Sequence, residues 1–255
     1  MSNVTRHPLL VFALSFAVLW LSSWFGRSFL GRRYALEDET RKDFELILGA
    51  SLTLLGLIIG FSFSMAISRY DQRKDYEEGE ANAIGTEYVR TDVLSATEGD
   101  KVRALLRKYL DERIRFYEAT DTQEVRQIND GTTQLQTELW SAVLGPSAAH
   151  PTPVVTLTVS GMNDVLNSQG FTQAAWSIQI PTAAWGLMAV MAIGCNLLIG
   201  YGWRAAKSGT KLLLILPLLV SIAFMLIADI DTPRGGIIRV TPQNLITLTD
   251  SLRTP

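Results

Sequence analysis

Catalysis by this chain would have to rest on Arg69, Glu80 or Asp229, because few other residues offer reactive chemistry at a useful spacing. The two histidines, His7 and His150, stand apart from any cysteine or carboxylate pair with metal-ligand spacing. No glycine-rich phosphate loop, nucleophile elbow or HExxH motif occurs. The single cysteine, Cys195, excludes an intramolecular disulfide and reads as a small buried residue on an apolar helix. No enzyme activity, cofactor or metal is therefore expected. With 23 basic and 25 acidic residues and a net charge of −2, the chain has no basic face suited to nucleic acid.

The same charged residues have a second use. Arg69 follows one long apolar run, and Asp229 and Asp231 close another, ahead of Thr232-Pro233-Arg234-Gly235-Gly236. An Asp229 or Asp231 pair with Arg69 or Arg234 at a membrane edge would be partly desolvated and would fix how helices dock. The alternative is that these carboxylates contact permeating cations.

These residues must be positioned by membrane helices. At 255 residues and 47% hydrophobic content the averages would suit a soluble protein, but charge is absent over 7–26, 46–68, 167–203 and 212–228. A helix needs roughly 20 apolar residues to cross a bilayer, so four spans are expected at about 8–26, 44–68, 180–203 and 211–229. The first is expected to be retained, because its bulky end WLSSWFGRSF lacks the small residues that signal cleavage prefers. Orientation stays open. Arg27, Arg32, Arg33, Arg41, Lys42, Arg204, Lys207 and Lys211 on one side outnumber Arg6, Arg69, Arg73, Lys74, Arg234 and Arg239 on the other only slightly.

Span two runs into RYDQRKDYEEGEANAIGTEYVR with no helix stop, so one rod is expected over 49–90. Amphipathic helices are expected at 76–94, with Glu80 and Glu87 among its polar positions, and at 100–117, and further helices at 122–143 and 154–177. Gly145-Pro146 and His150-Pro151-Thr152-Pro153 read as a loop. No Lys or Arg occurs over 127–203, which suits either a cation-attracting vestibule or a helix buried between subunits. Within span two, Thr53, Leu57, Phe61 and Met65 share a face, with Gly49, Gly56, Gly60 and Ser64 close by. Spacing alone leaves open ordinary packing or an apolar constriction around a common axis.

The stretch GFSFSMAISRYDQRK (60–74) resembles the end of the second membrane helix of bestrophins, where a Thr-Arg-aromatic triplet corresponds to Ser68-Arg69-Tyr70. The wider pattern is similar to the bestrophin-like family of mostly bacterial membrane proteins. It comprises the block EANAIGTEYVRTDVL (80–94), which holds Glu80, Asn82, Gly85 and Arg90, together with RKYLDERIRFYE (107–118) and ADIDTPRGGIIRV (228–240).

The resemblance implies an all-α, bestrophin-like fold of four transmembrane helices, with a helical extramembrane domain between spans two and three. It also implies a homo-oligomer, a pentamer in bestrophins proper, in which span two lines an axial neck that passes inorganic ions. By position, Thr53, Leu57 and Phe61 would line it, where bestrophins usually carry two bulky aromatics and a nearby proline. The acidic calcium-binding run of bestrophins is reduced to Asp229 and Asp231, too few oxygens for Ca²⁺. Bestrophin topology puts both termini and the central domain in the cytoplasm, against the charge count.

The expected organisation is 1–68 for membrane helices one and two, 69–179 for the helical domain, 180–229 for helices three and four, and 230–255 for a tail. The expected function is a multi-pass protein of the bacterial inner membrane, partnered by the lipid bilayer and its own copies, acting as an ion channel. The alternative is a non-conducting scaffold or signalling protein acting through its helical domain.

Overall fold

The computed structural model describes residues 7–33, 39–149, 151–203 and 210–253, with Arg32, Thr210 and Lys211 as backbone only. His150, and Arg6, Arg204 and Lys207 of the charge count, lie outside the described residues. In chain order the helices are α1 (Pro8–Phe25), α2 (Gly31–Arg33), α3 (Arg41–Arg90), α4 (Ala96–Glu118), α5 (Thr122–Ala149), α6 (Pro153–Ser177), α7 (Thr182–Gly202), α8 (Ile215–Asp231) and α9 (Gln243–Arg253). No strand occurs among the described residues. Two compact units result, Met1–Arg69 with Gln179–Arg239 and Tyr70–Ile178 with Val240–Pro255. Helix α3 contributes to both as one 50-residue helix.

The first unit is built from apolar helices. Stretches Pro8–Leu30, Arg41–Val93, Pro153–Gly202 and Leu212–Asp231 each contain a window long and apolar enough to cross a membrane. Large side chains such as Leu9, Leu21, Val190 and Leu219 are exposed, which suits lipid rather than water. Helix α1 packs against α7 and α8. The α1–α7 contact depends on two glycines: a Cβ at Gly26 would collide with the Leu197 carbonyl, and one at Gly200 with the Ser23 carbonyl. Beside them the Ser23 hydroxyl donates to Asn196 Oδ1 at 3.2 Å, and Asn196 Nδ2 donates to the Ala192 carbonyl at 2.8 Å. Gly26 also opens a π-helical turn, Gly26–Leu30, that extends α1.

The second unit is a helical bundle with its own core, including Ile84, Leu106, Tyr109, Phe116, Leu139, Met162 and Leu245. Each helix start has a local reason. Ser95 caps α4, its hydroxyl accepting from the Glu98 N–H and donating to Glu98 Oε2 at 2.6 Å. Asp121 Oδ2 accepts from the N–H groups of Gln123 and Glu124 at α5, and Thr152 Oγ1 accepts from the Val155 N–H at α6, where Pro153 begins the helix.

Two local expectations differ. Gly145-Pro146 does not end α5, which continues to Ala149 with Pro146 inside it. Pro146 is buried in the last turn, where its missing N–H and its ring disturb only the end of the helix. Residues from Gln243 form α9, whose Leu245 joins the core of the second unit.

Candidate functional site

Span two presents its expected face outward. Leu57 and Phe61 are 52% and 63% exposed and Thr53 is exposed, whereas Leu55, Ser62 and Ala66 on the opposite side of the same helix are buried. The Thr53 hydroxyl donates to the Gly49 carbonyl at 2.9 Å and is thus satisfied within the helix itself. A Cβ at Gly49, Gly56 or Gly60 would meet nothing within 4 Å, so none of these glycines is used for packing inside the protomer.

At the ends of α3 and α8 the charged residues are brought into two separate arrangements. Arg69 Nη1 lies 3.3 Å from Asp231 Oδ1, and the Asp231 carboxylate also accepts from the Ile180 N–H at 3.1 and 3.0 Å, just ahead of α7. Asp229 instead accepts two backbone bonds, from the Ile237 N–H at 2.7 Å and the Ile238 N–H at 2.9 Å. It thereby folds the loop after α8 back onto the helix end. A Cβ at Gly236 would collide with Asp229, so only glycine fits that turn. Arg234 is half-buried.

In the second unit the polar face assigned to α3 proves partly buried. Arg73, Glu77, Glu80, Ile84, Glu87 and Thr91 are all buried, at alternating spacings of four and three that make one stripe. Glu80 and Glu87, polar positions of the expected amphipathic helix, are thus buried rather than exposed. Two of these charges, Arg73 and Glu77, meet backbone groups that other helices leave unpaired. Arg73 donates to the Ala175 and Ile178 carbonyls at 3.3 and 3.1 Å, closing the end of α6. Glu77 accepts from the N–H groups of Asn244 and Leu245 at 2.9 and 3.0 Å and from Asn244 Nδ2 at 2.6 Å, capping the start of α9.

Glu80 is the centre of a buried network. It takes Arg113 Nε and, at 3.4 Å, Nη2, while the Tyr117 and Thr172 hydroxyls each donate at 3.2 Å. The Arg113 guanidinium lies 4.4 Å from the Phe116 ring centroid. Burial, reinforced by the Glu80 charge, pushes the Tyr109 and Tyr117 hydroxyls up from the usual phenol value.

Glu87 differs from its neighbours, because neither carboxylate oxygen has a hydrogen-bond partner among the described residues. Burial pushes its carboxyl up to about 8, with Arg90 opposing and Asp164 adding to the rise. Arg90 itself lies 3.9 Å from Asp164. Of the family block, Asn82 is exposed, and Gly85 faces Leu248 of α9, whose Cδ1 would lie 3.0 Å from an added Cβ.

The sequence pointed to Arg69, Asp229, Asp231 and Glu80 but gave no role to Arg73, Glu77, Glu87 or Arg113. The heptad-like register of the stripe was the available signal, masked because its positions are charged.

Apolar helices of spanning length, a helical second unit and the absence of strands among the described residues define a multi-pass α-helical membrane protein. The model of the bestrophin-like domain matches residues 13–245, and the chain belongs to the bestrophin-like family. The chain is similar to a crystal structure of a mutated bacterial bestrophin homologue from Klebsiella pneumoniae, at 13% identity and a TM-score of 0.65, covering 98% of this chain and 99% of that one. A second mutated form gives 11% identity and a TM-score of 0.65 with 96% of each chain covered. A structure of a bestrophin homologue from the same organism, phased by Zn-SAD, gives 13%, 0.63, and 93% and 98%. At these identities the likeness establishes the fold. No curated protein matches the chain.

Proposed function

We propose that this protein is an oligomeric bestrophin-like ion channel of the bacterial inner membrane, with a neck lined by the membrane part of α3 and Thr53, Leu57 and Phe61 facing the axis. The observation that carries the reading is the exposure of those three residues on one side of α3, while Leu55, Ser62 and Ala66 on the other side are buried within the protomer. Copies of that face around an axis would bring Leu57 and Phe61 together as apolar rings and would use the unoccupied glycine positions for close helix approach. In this reading Arg69, Asp231, Asp229 and Arg234 are structural, fixing helix ends rather than meeting ions. Glu80, Gly85 and Arg90 of the family block brace the helical unit.

Purified protein in planar bilayers tests the proposal. Single-channel currents are expected, and Phe61→Ala, which removes the largest side chain from the face, is expected to raise unitary conductance several-fold. Bilayers that stay silent across ions and voltages would reject conduction and leave the non-conducting scaffold. Currents unchanged by Phe61→Ala would reject the assignment of the neck.

A further inference from the structure

A second feature of the first unit lies where α1 begins and α8 ends. The loop held by Asp229 encloses, with those two helix ends, an open groove of about 450 Å³. That volume is within the usual range for small-molecule sites. Its walls change character along the chain. Leu9 of α1, Met225 and Leu226 of α8, and Ile238 supply apolar surface, while His7 and Arg239 supply the polar rim. Leu9, Met225 and Leu226 belong to helices of spanning length, whereas His7, Ile238 and Arg239 lie outside them, so a bilayer crossed by these helices would place the groove at the boundary between hydrocarbon and headgroups.

The charge at the rim is unbalanced. Arg239 spends its Nε on the Gly236 carbonyl at 2.6 Å, and its Nη groups make no hydrogen bond among the described residues. The one carboxylate in the groove, Asp229, has both oxygens committed to the Ile237 and Ile238 N–H groups. It is also 5% exposed, and no ion pair joins it to Arg239 among the described residues. A guanidinium with open donors above an apolar groove fits a phosphate oxygen attached to an acyl chain.

We propose that this groove is a binding site for an anionic phospholipid, with one acyl chain against Leu9, Met225, Leu226 and Ile238 and the phosphate on Arg239, His7 completing the rim. Asp229 and Gly236 are positioning residues that hold the loop in the required turn. The site rests on the membrane-spanning character of the chain and is independent of whether it conducts.

The test is native mass spectrometry of the full-length protein, delipidated and then given mixed micelles of phosphatidylglycerol and phosphatidylcholine in equal amounts. Retention of phosphatidylglycerol at about five-fold over phosphatidylcholine is expected, the discrimination of one basic residue at a membrane surface. Arg239→Gln should abolish that preference, and Arg239→Lys should keep it. Ile238→Trp, placed on the exposed loop and away from the helical core, should lower the retention of both lipids. Equal retention by wild type, an unchanged preference in Arg239→Gln, or full competition by glycerol 3-phosphate without acyl chains would each overturn the proposal. So would a cross-link from Ile238→Cys into another copy of the chain that persists under saturating phosphatidylglycerol.

Discussion

Glu80 and Glu87 lie two turns apart on the same buried stripe of α3, and their partners make them opposites. Removing two charges from water costs several kcal/mol per ion and is offset only when attraction and hydrogen bonds meet the remaining lone pairs. Glu80 comes near that condition, with Arg113, Tyr117 and Thr172 around it. Glu87 has no hydrogen bond among the described residues, and the neutral acid is the form that burial favours. Its carboxyl is raised from 4.5 to about 8, so the folded protein holds this proton more tightly than the unfolded chain does. Unfolding therefore releases a proton between those values, and stability falls as pH rises from about 4.5 to about 8, then levels off. Glu87→Gln keeps the shape without the titration. It is expected to stabilise the protein at pH 8 by on the order of 3 kcal/mol and to flatten this part of the profile. The apparent midpoint of thermal unfolding in detergent, followed from pH 5 to pH 9, is the measurement. Parallel profiles for the variant and the wild type would mean that Glu87 is solvated or paired.

Helix α9 shows what one element requires from another. Eleven residues are too few to hold a helix in water unaided, and α9 is secured at its start by the Glu77 carboxylate and by Leu245 in the core. Glu77→Ala removes three hydrogen bonds to Asn244 and Leu245. Amide exchange across 243–253 is expected to accelerate at least ten-fold, with α4 and α5 little changed. Equal acceleration throughout the second unit would show that Glu77 supports the whole bundle. Dependence of this kind separates the elements legible in the amino-acid sequence from those that are not. The four spans follow from charge-free runs, and α4 follows from the helical spacing of Val102, Leu106, Tyr109 and Leu110, because such signals are local to each segment. The docking of α9, the capping role of Arg73 and the burial of Arg113 depend on donors and acceptors supplied from distant parts of the chain, which periodicity does not encode. Thr53, Leu57 and Phe61 were legible as a face, but which side of α3 the protomer would bury was not.

For the whole molecule, the unsatisfied surface is the apolar one that the described residues leave uncovered. Besides the bare face of α3, helix α6 exposes Val154, Leu157 and Phe171, and Asp164 is the single charged residue between Pro153 and Ser177. Such depletion of charge is typical of the centre of an interface between proteins. An assembly of copies about the α3 face makes a geometric prediction independent of any current. In a Cys195→Ser background, Leu57→Cys should react with a short bifunctional thiol reagent to link copies and give a ladder of cross-linked species on denaturing gels. Leu55→Cys, two residues away but 2% exposed within the protomer, should give none. The number of rungs counts the copies around the axis, with five expected from the resemblance to bestrophins. A ladder from Leu55→Cys, or monomer alone from Leu57→Cys in protein that elutes as an oligomer, would place another surface at the contact and remove span two from the axis.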